Sequence, residues 1–369
     1  MRVLFITNLP SPYRVEFFNE LSKYCNLTVC YERNSSSERD DKWKGLKSGN
    51  YTVVYPDLKP IGIDQSKGSA LRKFIADAKF DRLIITNYAS PAVMEVILYC
   101  RVKRIPYTIE YDGGFNKVDS LPKRVLKKLL LCGAKAHLTT CEQHIDYLCT
   151  LGIDRNKIYK YPFTSIRESD IQKAGNVLPI VKANLRKQLG ITEEKMLLSV
   201  GRFSYEGGYG KGYDVLLDVA ERLPGNVGVY IVGDNPTDEF IRMKEERNLK
   251  NVHYVGFKTK DALAYYYAAA DLMVLLSRGD VWGLVVNEAM SFGTPVITSQ
   301  YCVAGLEMIE NGVNGYVVKL EDVDEIFKRV IELLNEADSA LMARNCILKA
   351  KQYTIENMAK YHMEILDAE

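Results

Sequence analysis

Short runs of apolar, β-branched residues recur along this chain and alternate with segments of helical periodicity, such as 15–23 and 91–103. The runs are continuously apolar, which is typical of strands buried on both faces of a parallel sheet. A repeated strand–helix order of this kind predicts an α/β protein with doubly wound sheets. The predicted strands are 2–6, 27–31, 51–55, 82–86, 107–110 and 136–139, followed by a second series at 196–200, 227–232, 251–255, 272–276, 295–298 and 315–318.

Two series of strands predict two Rossmann-like domains, and a chain of 369 residues is long enough for two cores. We expect the N-terminal domain over 1–168, a linker over the weakly patterned segment 169–190, and the C-terminal domain over 191–352. The last helix, about 353–369, is expected to pack back on the first domain. Ligands of such domains bind at the carboxyl ends of the strands, so we expect the two domains to face each other across a central cleft.

The composition narrows the classes of partner and compartment. The formal net charge of +2 provides no general basic field for nucleic acid. Eight cysteines without a C-x-x-C pair indicate buried free thiols in a reducing compartment, and four scattered histidines lack metal-ligand spacing. The N-terminal MRVLFITNLPSPYR lacks the apolar run of a signal peptide, and no segment reaches the ~18–20 apolar residues that span a bilayer. We expect a cytoplasmic protein, or one bound peripherally to the inner face of a membrane.

A glycine-rich loop opens the second domain, in the segment MLLSVGRFSYEGGYGKGYDVLLDV. It follows the strand that ends at Val200 and precedes a helix, so backbone N–H groups at Gly201 and Gly210 are placed to approach an anion beside a helix N-terminus. Arg202 and Lys211 add two positive charges. The pattern predicts a site for a diphosphate. The alternative is a flexible surface loop with solvated charges.

The segment GDVWGLVVNEAMSFGTPVITS follows another predicted strand and continues into a helix over 283–292. Inside this helix, Glu288 is suited to accept both hydroxyls of a ribose, and Asp280 in the preceding turn is suited to sugar hydroxyls. The N–H groups of Leu284 and Val285 in the first helical turn are suited to phosphate. Alternatively, Asp280 caps the turn and Glu288 is a surface residue of an amphipathic helix.

Together these two segments resemble the donor domain of retaining family-4 glycosyltransferases, which have the GT-B fold of two facing Rossmann-like domains. That family carries G-R-F/L and a downstream K-G-x-D-x-L-L, matched here by 201–203 and 211–217. It also carries two carboxylates with seven residues between them, followed by A-M-x-x-G-x-P-V-I. Asp280, Glu288 and 289–297 match this second motif.

The resemblance covers about 196–320, and the chain departs from the family pattern in two places. Asp280 stands where the family usually has Glu, and the loop between Arg202 and Lys211 is longer than usual. Both departures concern the recognition of the transferred sugar. Another acidic segment, Asp322-Val323-Asp324, precedes a helical pattern and predicts a helix start, not a metal site.

The resemblance implies retaining transfer of a hexose or N-acetylhexosamine from a nucleoside diphosphate, with UDP favoured, to a sugar hydroxyl. Arg202 and Lys211 would bind the diphosphate and stabilise the leaving group, so the family needs no metal and no other cofactor. By the same resemblance, Glu288 would bind the ribose, the residue at 280 would face the sugar, and the base would lie near 256–258. The predicted donor contacts are Gly201, Gly210, Phe257, Trp282, Gly283, Leu284, Val285 and Glu288, beside the catalytic candidates Arg202, Lys211 and Asp280.

The first domain resembles the family less closely. Its phrases SPYR, IEYDGGF and YPFTS resemble a branch that builds bacterial capsular polysaccharide and exopolysaccharide, which implies a glycan or lipid-linked glycan acceptor. Glu110 and Asp112 follow a predicted strand and are candidates for contacts with acceptor hydroxyls, and Arg14 is a candidate for an acceptor phosphate. The alternatives are ordinary turn chemistry, since Asp before Gly-Gly is typical of turns, and a solvated arginine.

The segment LPKRVLKKLLL, 121–131, predicts a cationic amphipathic helix with Lys123, Arg124, Lys127 and Lys128 on one face. Such a helix is suited to an anionic membrane surface. The alternative is an ordinary surface helix with its leucines in the core.

Two other functions fit the same fold. One is a UDP-sugar epimerase, and the other is a non-catalytic nucleotide-sugar-binding protein. An epimerase needs acid and base groups around the sugar, which the sparse histidines do not favour.

Overall fold

The computed structural model describes residues 1–33, 49–58, 60–62, 65–66, 68–114, 119–174, 179–335 and 337–368. The chain divides into two compact units. The first unit comprises Met1–Ser165 together with Thr354–Glu369, and the second comprises Ile166–Tyr353.

Strands and helices alternate along both units. The chain before the second unit forms β1 (Arg2–Thr7), α1 (Pro12–Leu21), β2 (Asn26–Tyr31), β3 (Thr52–Val54), β4 (Pro60–Gly62), β5 (Gln65–Ser66), α2 (Ser69–Asp77), β6 (Arg82–Ile85), α3 (Pro91–Lys103), β7 (Thr108–Glu110), α4 (Leu121–Leu131), β8 (Ala136–Thr139), α5 (Glu142–Thr150) and β9 (Ile158–Lys160).

The second unit begins with helices and then repeats the same alternation. Its elements are α6 (Glu168–Ala174), α7 (Pro179–Gln188), β10 (Lys195–Val200), a 3-10 turn (Glu206–Lys211), α8 (Tyr213–Arg222), β11 (Val227–Val232), α9 (Asp238–Glu246), β12 (Val252–Gly256), α10 (Lys260–Ala269), β13 (Leu272–Leu275), α11 (Leu284–Ser291), β14 (Val296–Ser299), α12 (Val303–Met308), β15 (Gly315–Val318), α13 (Val323–Asn335) and α14 (Ser339–Ala350). The last helix, α15 (Ile355–Ala368), returns to the first unit.

Each unit is built around one parallel sheet. Among the described residues, the first sheet has the order β3-β2-β1-β6-β7-β8-β9 and the second has the order β12-β11-β10-β13-β14-β15. All of these neighbours pair in parallel. In each sheet the strand order reverses beside the first strand of the series, which is the topology of a doubly wound Rossmann-like domain. The predicted fold of each domain is confirmed, and every predicted strand is present.

The structure adds elements that the apolar pattern did not predict, including strand β9 and the short β4–β5 hairpin. The segment predicted to be a linker, 169–190, is helical where the structure describes it, and α7 packs against α10. There the Nζ of Lys182 donates to the carbonyl of Ala270 at 2.7 Å, and the Nε of Arg186 donates to the carbonyl of Ala269 at 2.9 Å. Cations at the carboxyl end of a helix bind its last carbonyl groups, so this segment is an integral part of the second unit.

The acidic segment 322–324 starts a helix, as predicted. The Oδ1 of Asp322 accepts from the N–H of Glu325 at 2.9 Å and caps α13. Elsewhere, all eight cysteines are free thiols, but Cys132 and Cys149 are exposed, so the expectation of burial is wrong for these two. They lie at the carboxyl ends of α4 and α5, where the apolar neighbours point inward and the thiols do not. Within the described chain, no helix is both long and apolar enough to cross a bilayer.

A buried charge cluster attaches α15 to the first sheet. At the end of β7, the carboxylate of Glu110 accepts from an amino group of Arg14 at 2.5 Å and from the Oη of Tyr161 at 3.1 Å. Its second oxygen lies 3.1 Å from the Nε2 of His362 on α15. Burial opposes the ionisation of Glu110, but Arg14 and His362 outweigh it and lower the pKa of this carboxyl to about 2. The cluster therefore stabilises the folded chain through a buried carboxylate, Glu110, that is ionised at neutral pH.

We expect Glu110→Gln to lower the free energy of unfolding at neutral pH by about 3–5 kcal/mol, because removing one partner leaves buried charge uncompensated. The pKa of Glu110 is lower in the folded chain than its unfolded value of about 4.3. The stabilisation is therefore complete above the unfolded pKa and is lost as the pH falls through about 2. Urea denaturation between neutral pH and about pH 3 should show the stability gap between wild type and variant narrowing on acidification.

Asp81→Asn is the matched control, because Asp81 also pairs with an arginine, Arg2, at 2.7 Å, but on the protein surface. Surface pairs are screened by solvent, so this substitution should cost clearly less than Glu110→Gln. Equal losses in the two variants, or a gap that does not change with pH, would contradict the assignment of Glu110 to a buried ionised cluster.

Candidate active site

The loop after β10 is held closely against the neighbouring strand. The N–H of Gly201 donates to the carbonyl of Val232 at 3.0 Å, and a Cβ on Gly201 would lie 2.9 Å from the Oη of Tyr213. The carboxylate of Asp234 accepts from the N–H of Phe203, whose ring is buried. A side chain at 201 would crowd Tyr213 and Lys211, and glycine leaves the backbone at this strand end bare.

The glycine-rich stretch continues as the 3-10 turn Glu206–Lys211 and leads directly into α8. Gly208 and Gly210 are buried, so the alternative of a fully solvated loop does not describe these two residues. Gly212 has a φ of 68°, and a Cβ there would lie 1.9 Å from the carbonyl oxygen of Leu276. A side chain would be strained and would clash, so glycine at this position lets the turn pass close to the end of β13.

One residue from each predicted motif meets in an ion pair. The Nζ of Lys211 lies 2.6 Å from Oδ2 of Asp280, and each side chain is only 17% exposed. The Oγ of Ser277 donates to the same carboxylate oxygen at 3.3 Å, and the N–H of Asp280 donates to the carbonyl of Tyr301 at 2.8 Å. Strands β10 and β13 are neighbours at the point where the sheet order reverses, and the loops that follow them bring the pair together. Ligands of doubly wound sheets bind at this switch point.

The start of α11 is shaped by Gly283 and by a buried tryptophan. Gly283 has a φ of 101°, and a Cβ there would lie 2.7 Å from the Sγ of Cys302. The indole of Trp282 is buried, and its Nε1 donates to Oδ1 of Asn287 at 2.7 Å. The side chain of Trp282, predicted as a donor contact, therefore faces the interior of the second unit. In this interior position the apolar ring is packed and its N–H has an acceptor.

Helix α11 has a partly exposed first turn and, one turn later, a partly exposed carboxylate. Leu284 and Val285 are partly exposed, and the leading N–H groups of a helix have no partner inside it. One turn later, Glu288 accepts a hydrogen bond from the Oη of Tyr267 at 2.8 Å. Burial, followed by the Glu288 carboxylate, raises the pKa of Tyr267 well above its ordinary range. The hydroxyl thus remains a donor and orients Glu288, which is more than a free surface residue of an amphipathic helix.

Two predicted donor contacts are exposed at the carboxyl edge of this sheet. Arg202 follows Gly201 directly, and in the described part of the chain its guanidinium has no ion-pair partner. Phe257 follows β12, and its ring is largely exposed. The charge of Arg202 is therefore available to an anionic ligand, and the Phe257 ring presents an apolar face to solvent.

The motifs did not identify three further residues that shape the site. The ring of Tyr205 lies 5.4 Å from the Nζ of Lys211, and its Oη donates to the carbonyl of Gly279 at 3.4 Å. Tyr267 orients Glu288, and Arg278 bonds to the 3-10 turn. A charged residue directly between an apolar strand and the Gly279 motif was a visible signal for Arg278, whereas nothing in the sequence marked the two tyrosines.

The predicted acceptor-side residues meet in the first unit, but they differ in exposure. The guanidinium of Arg14 bonds to both Glu110 and Asp112, and the Oη of Tyr13 donates to Asp112 at 3.4 Å. The side chains of Arg14 and Glu110 are buried and engaged with each other, because a charge in the interior needs a partner. Only Asp112, with 44% of its side chain exposed, is open to a ligand from solvent.

The basic helix α4 forms as predicted, with one change on its cationic face. The Nζ of Lys127 donates to Asp119 at 2.8 Å and to the Oη of Tyr147 at 2.6 Å, so Lys127 is turned inward and leaves the predicted face. Lys123, Arg124 and Lys128 are exposed.

The apolar residues of α4 divide between core and solvent. Leu130 and Leu131 are buried, as in an ordinary surface helix, but Leu121 is 79% exposed and Val125 is 68% exposed. Leu126 and Leu129 are also exposed. The helix therefore presents apolar and cationic side chains together to solvent.

Comparisons with known proteins agree with this geometry. The sequence model of the family described as Glycosyl transferases group 1 matches residues 181–353. A Klebsiella pneumoniae protein, described as an uncharacterized 41.2 kDa protein in the cps region, is 31% identical over 260 residues, covering 67% of this chain and 68% of that protein. An uncharacterized glycosyltransferase of Haemophilus influenzae is 26% identical over 315 residues, covering 80% of this chain and 79% of its own.

Solved structures show the same fold over whole chains. HepE of Anabaena in complex with UDP has a TM-score of 0.79 and 19% sequence identity, with 100% of both chains covered. WaaG, a glycosyltransferase involved in lipopolysaccharide biosynthesis, has a TM-score of 0.70 and 16% identity, again with 100% of both chains covered.

The family match contains both loops of the site, including the Lys211–Asp280 pair. The Klebsiella relative extends the sequence similarity over two thirds of each chain, and the two solved structures extend the similarity of fold over all of it. The predicted resemblance is confirmed, and it favours sugar transfer over the epimerase and the non-catalytic binding protein. The chain belongs to the group 1 glycosyl transferases and is a glycosyltransferase with two Rossmann-like domains.

Proposed function

We propose that this enzyme transfers a hexose or an N-acetylhexosamine from a UDP-sugar to a sugar hydroxyl, with retention of the anomeric configuration. The observation that carries the proposal is the Lys211–Asp280 pair, formed by two separate loops at the switch point of the second sheet. A cation suited to phosphate and a carboxylate suited to sugar hydroxyls therefore lie side by side, 2.6 Å apart, as the phosphate and the sugar do in a nucleotide-sugar donor.

The proposed roles follow from where each side chain lies. Arg202 and Lys211 bind the diphosphate and stabilise the charge that develops on it as the bond to the sugar breaks. The first turn of α11, at Leu284 and Val285, adds backbone N–H groups to the phosphates. Glu288, oriented by Tyr267, accepts hydrogen bonds from the ribose. Retention requires the acceptor hydroxyl to attack on the face that the diphosphate leaves.

UDP is the proposed donor nucleotide. Phe257 offers an exposed ring at the carboxyl end of β12, where a planar base can stack. HepE, which shares the fold, is described in complexes with UDP and with UDP-glucose.

We also propose that transfer needs no metal or other cofactor, because two fixed cations supply the charge neutralisation that a divalent cation gives in metal-dependent transfer.

The proposed acceptor is a glycan, carried on a lipid during surface-polysaccharide synthesis. The Klebsiella relative is named for the cps region, and WaaG is described as acting in lipopolysaccharide biosynthesis. In the first unit, Asp112 is the predicted acceptor-side residue whose carboxylate is exposed to receive an acceptor hydroxyl. We propose that the enzyme works in the cytoplasm at the inner membrane face, because a lipid-linked acceptor is held in a membrane.

Docking on an anionic membrane is part of the same proposal. Helix α4 exposes Leu121 and Val125 beside Lys123 and Lys128, and α3 packs against α4 and exposes Val102 at 79%. Apolar side chains that insert at the headgroup boundary, flanked by cations that attract anionic lipids, are what interfacial helices need.

The first experiment tests donor, metal requirement and stereochemistry together. UDP and its sugars should raise the melting temperature, whereas ADP and GDP should not, because only ligands of the native state stabilise it. Transfer to a saccharide acceptor should persist in EDTA, and NMR should show the donor's anomeric configuration in the product. Epimerised UDP-sugar formed without acceptor would support the epimerase instead. Binding without turnover would support the binding protein. A product with inverted anomeric configuration would refute the retaining mechanism. Loss of activity in EDTA would refute metal-independent transfer.

The second experiment removes the proposed phosphate contacts. Arg202→Ala and Lys211→Ala should each lower kcat by about 10²–10³-fold, because each deletes a charge that acts on the leaving group. Steady-state kinetics against the UDP-sugar measures the effect. Arg242→Ala is the matched control, since Arg242 on α9 is also exposed and has no ion pair with a described residue. Near-wild-type activity in both site variants would refute the site.

The third experiment tests membrane docking by flotation with vesicles. Wild type should float with vesicles that contain anionic lipid, and Lys123→Glu with Lys128→Glu should weaken binding at least about tenfold, since each basic residue contributes about 1 kcal/mol. Leu121→Asp with Val125→Asp should also prevent flotation. The control is Leu341→Asp with Leu348→Asp on α14, where two leucines are likewise exposed. Flotation of the α4 variants at wild-type levels would remove docking from the proposal.

A further inference from the structure

Arg278 connects the two loops of the donor site through four hydrogen bonds. One terminal nitrogen of its guanidinium donates to the carbonyl of Tyr209 at 2.6 Å and to Asp214 at 2.7 Å, and the other donates to the second oxygen of Asp214 at 2.6 Å. Its backbone N–H donates to the carbonyl of Gly210 at 3.0 Å. Tyr209 and Gly210 directly precede Lys211 in the 3-10 turn.

The turn that carries Lys211 is rich in glycine, and besides Arg278 its side-chain contacts include Tyr209, whose Oη donates to Glu239 at 2.8 Å, and the Lys211–Asp280 pair. Gly207, Gly208 and Gly212 all have positive φ, and glycine loses more conformational freedom on folding than any other residue. Glu206 also has a positive φ, of 50°, and is exposed. A planar, bidentate arginine that bonds both to a backbone carbonyl of the turn and to a carboxylate of the adjoining helix fixes the turn in one geometry.

The same residue fixes the other half of the pair. Arg278 lies two positions before Asp280 on the loop that follows β13. Asp214, which accepts hydrogen bonds from both terminal nitrogens of the guanidinium, is the second residue of α8. We call Arg278, Asp214 and the carbonyl of Tyr209 the clamp. It connects the start of α8, the turn before Lys211 and the loop before Asp280 through the side chain of Arg278.

We infer that Arg278 is a positioning residue for sugar transfer: through Asp214 and the carbonyl of Tyr209 it holds the turn that carries Lys211 beside the loop that carries Asp280, where Lys211 meets the departing diphosphate. The inference rests on the proposed function of Lys211. The guanidinium is engaged by Asp214 and Tyr209, so Arg278 acts through Lys211 and not on the donor. Displacing a catalytic group by about 1 Å costs on the order of 10²-fold in rate, which gives the clamp its importance.

Kinetics of Arg278→Gln, Arg278→Lys and Asp214→Asn test this role. Arg278→Gln and Asp214→Asn should lower kcat by about 10–100-fold while the KM for the UDP-sugar changes much less, because binding groups remain but are misplaced. Arg278→Lys keeps the charge but loses the bidentate fork, so it should recover only part of kcat. Arg247→Gln is the control, since Arg247 pairs at 2.5 Å with Asp218 on the same helix α8 and should leave kcat unchanged.

A double-mutant cycle separates positioning from a general structural role. If Arg278 acts through Lys211, adding Arg278→Gln to Lys211→Arg should lower kcat by much less than it does in wild type. Effects that multiply fully in the double variant would overturn the inference. Near-wild-type activity in Lys211→Arg and Lys211→Ala alike would instead refute the proposed function of Lys211 itself.

Hydrogen exchange of the turn gives a second readout that does not depend on activity. Arg278→Gln should increase amide exchange in the peptide that contains 205–212 and leave α11 unchanged, because the lost bonds fix only the turn. Arg247→Gln should leave that peptide unchanged. Unchanged exchange of the turn in Arg278→Gln would overturn the clamp, whatever the kinetics show.

Discussion

The ion pair between Lys211 and Asp280 is the interaction on which the proposed donor site depends. The two residues are 69 positions apart in the chain, and they meet because β10 and β13 are neighbours in the sheet. A pair that is only 17% exposed is screened less than a surface pair, so its geometry matters more. The bare glycine backbone at 201 and 212 permits the close approach, and Arg278 restrains the turn that results.

The two units use charge in different ways. In the first unit, Arg14 and Glu110 neutralise each other in the interior and attach α15 to the sheet. In the second unit, Lys211 is paired with Asp280 and only 17% exposed, whereas Arg202 is exposed and has no ion-pair partner among the described residues. Burial explains the difference, because a buried charge must be satisfied by its neighbours, whereas a charge at the edge of a sheet can exchange water for a ligand. The first unit thus satisfies its charges internally, whereas the second leaves the charge of Arg202 exposed at the edge of its sheet.

Much of the architecture could be predicted from local pattern. Continuous apolar runs predicted the strands, since a strand buried on both faces has no polar alternation, and their two series predicted two doubly wound sheets. The motifs around Lys211 and Glu288 could be placed because glycine, cation and carboxylate act within a few residues of each other. The burial of Glu110, the inward turn of Lys127 and the interior position of Trp282 could not be predicted. Each involves a partner from another part of the chain: His362 for Glu110, Tyr147 for Lys127 and the ring of Tyr353 for Trp282.

The sequence by itself determined the class of fold, the family, and which loops carry the donor motifs. It did so because buried strands and anion-binding helix starts each depend on residues that are adjacent along the chain. Only the tertiary structure decided which of the candidate residues remain exposed to a ligand and which are engaged by the protein. The reason is physical: exposure, pairing and the orientation of a long side chain are fixed by neighbours that the fold brings from distant positions. Asp280, which departs from the family's usual Glu, is the partner of Lys211 only because the fold brings their loops together, and Arg278 links both loops for the same reason.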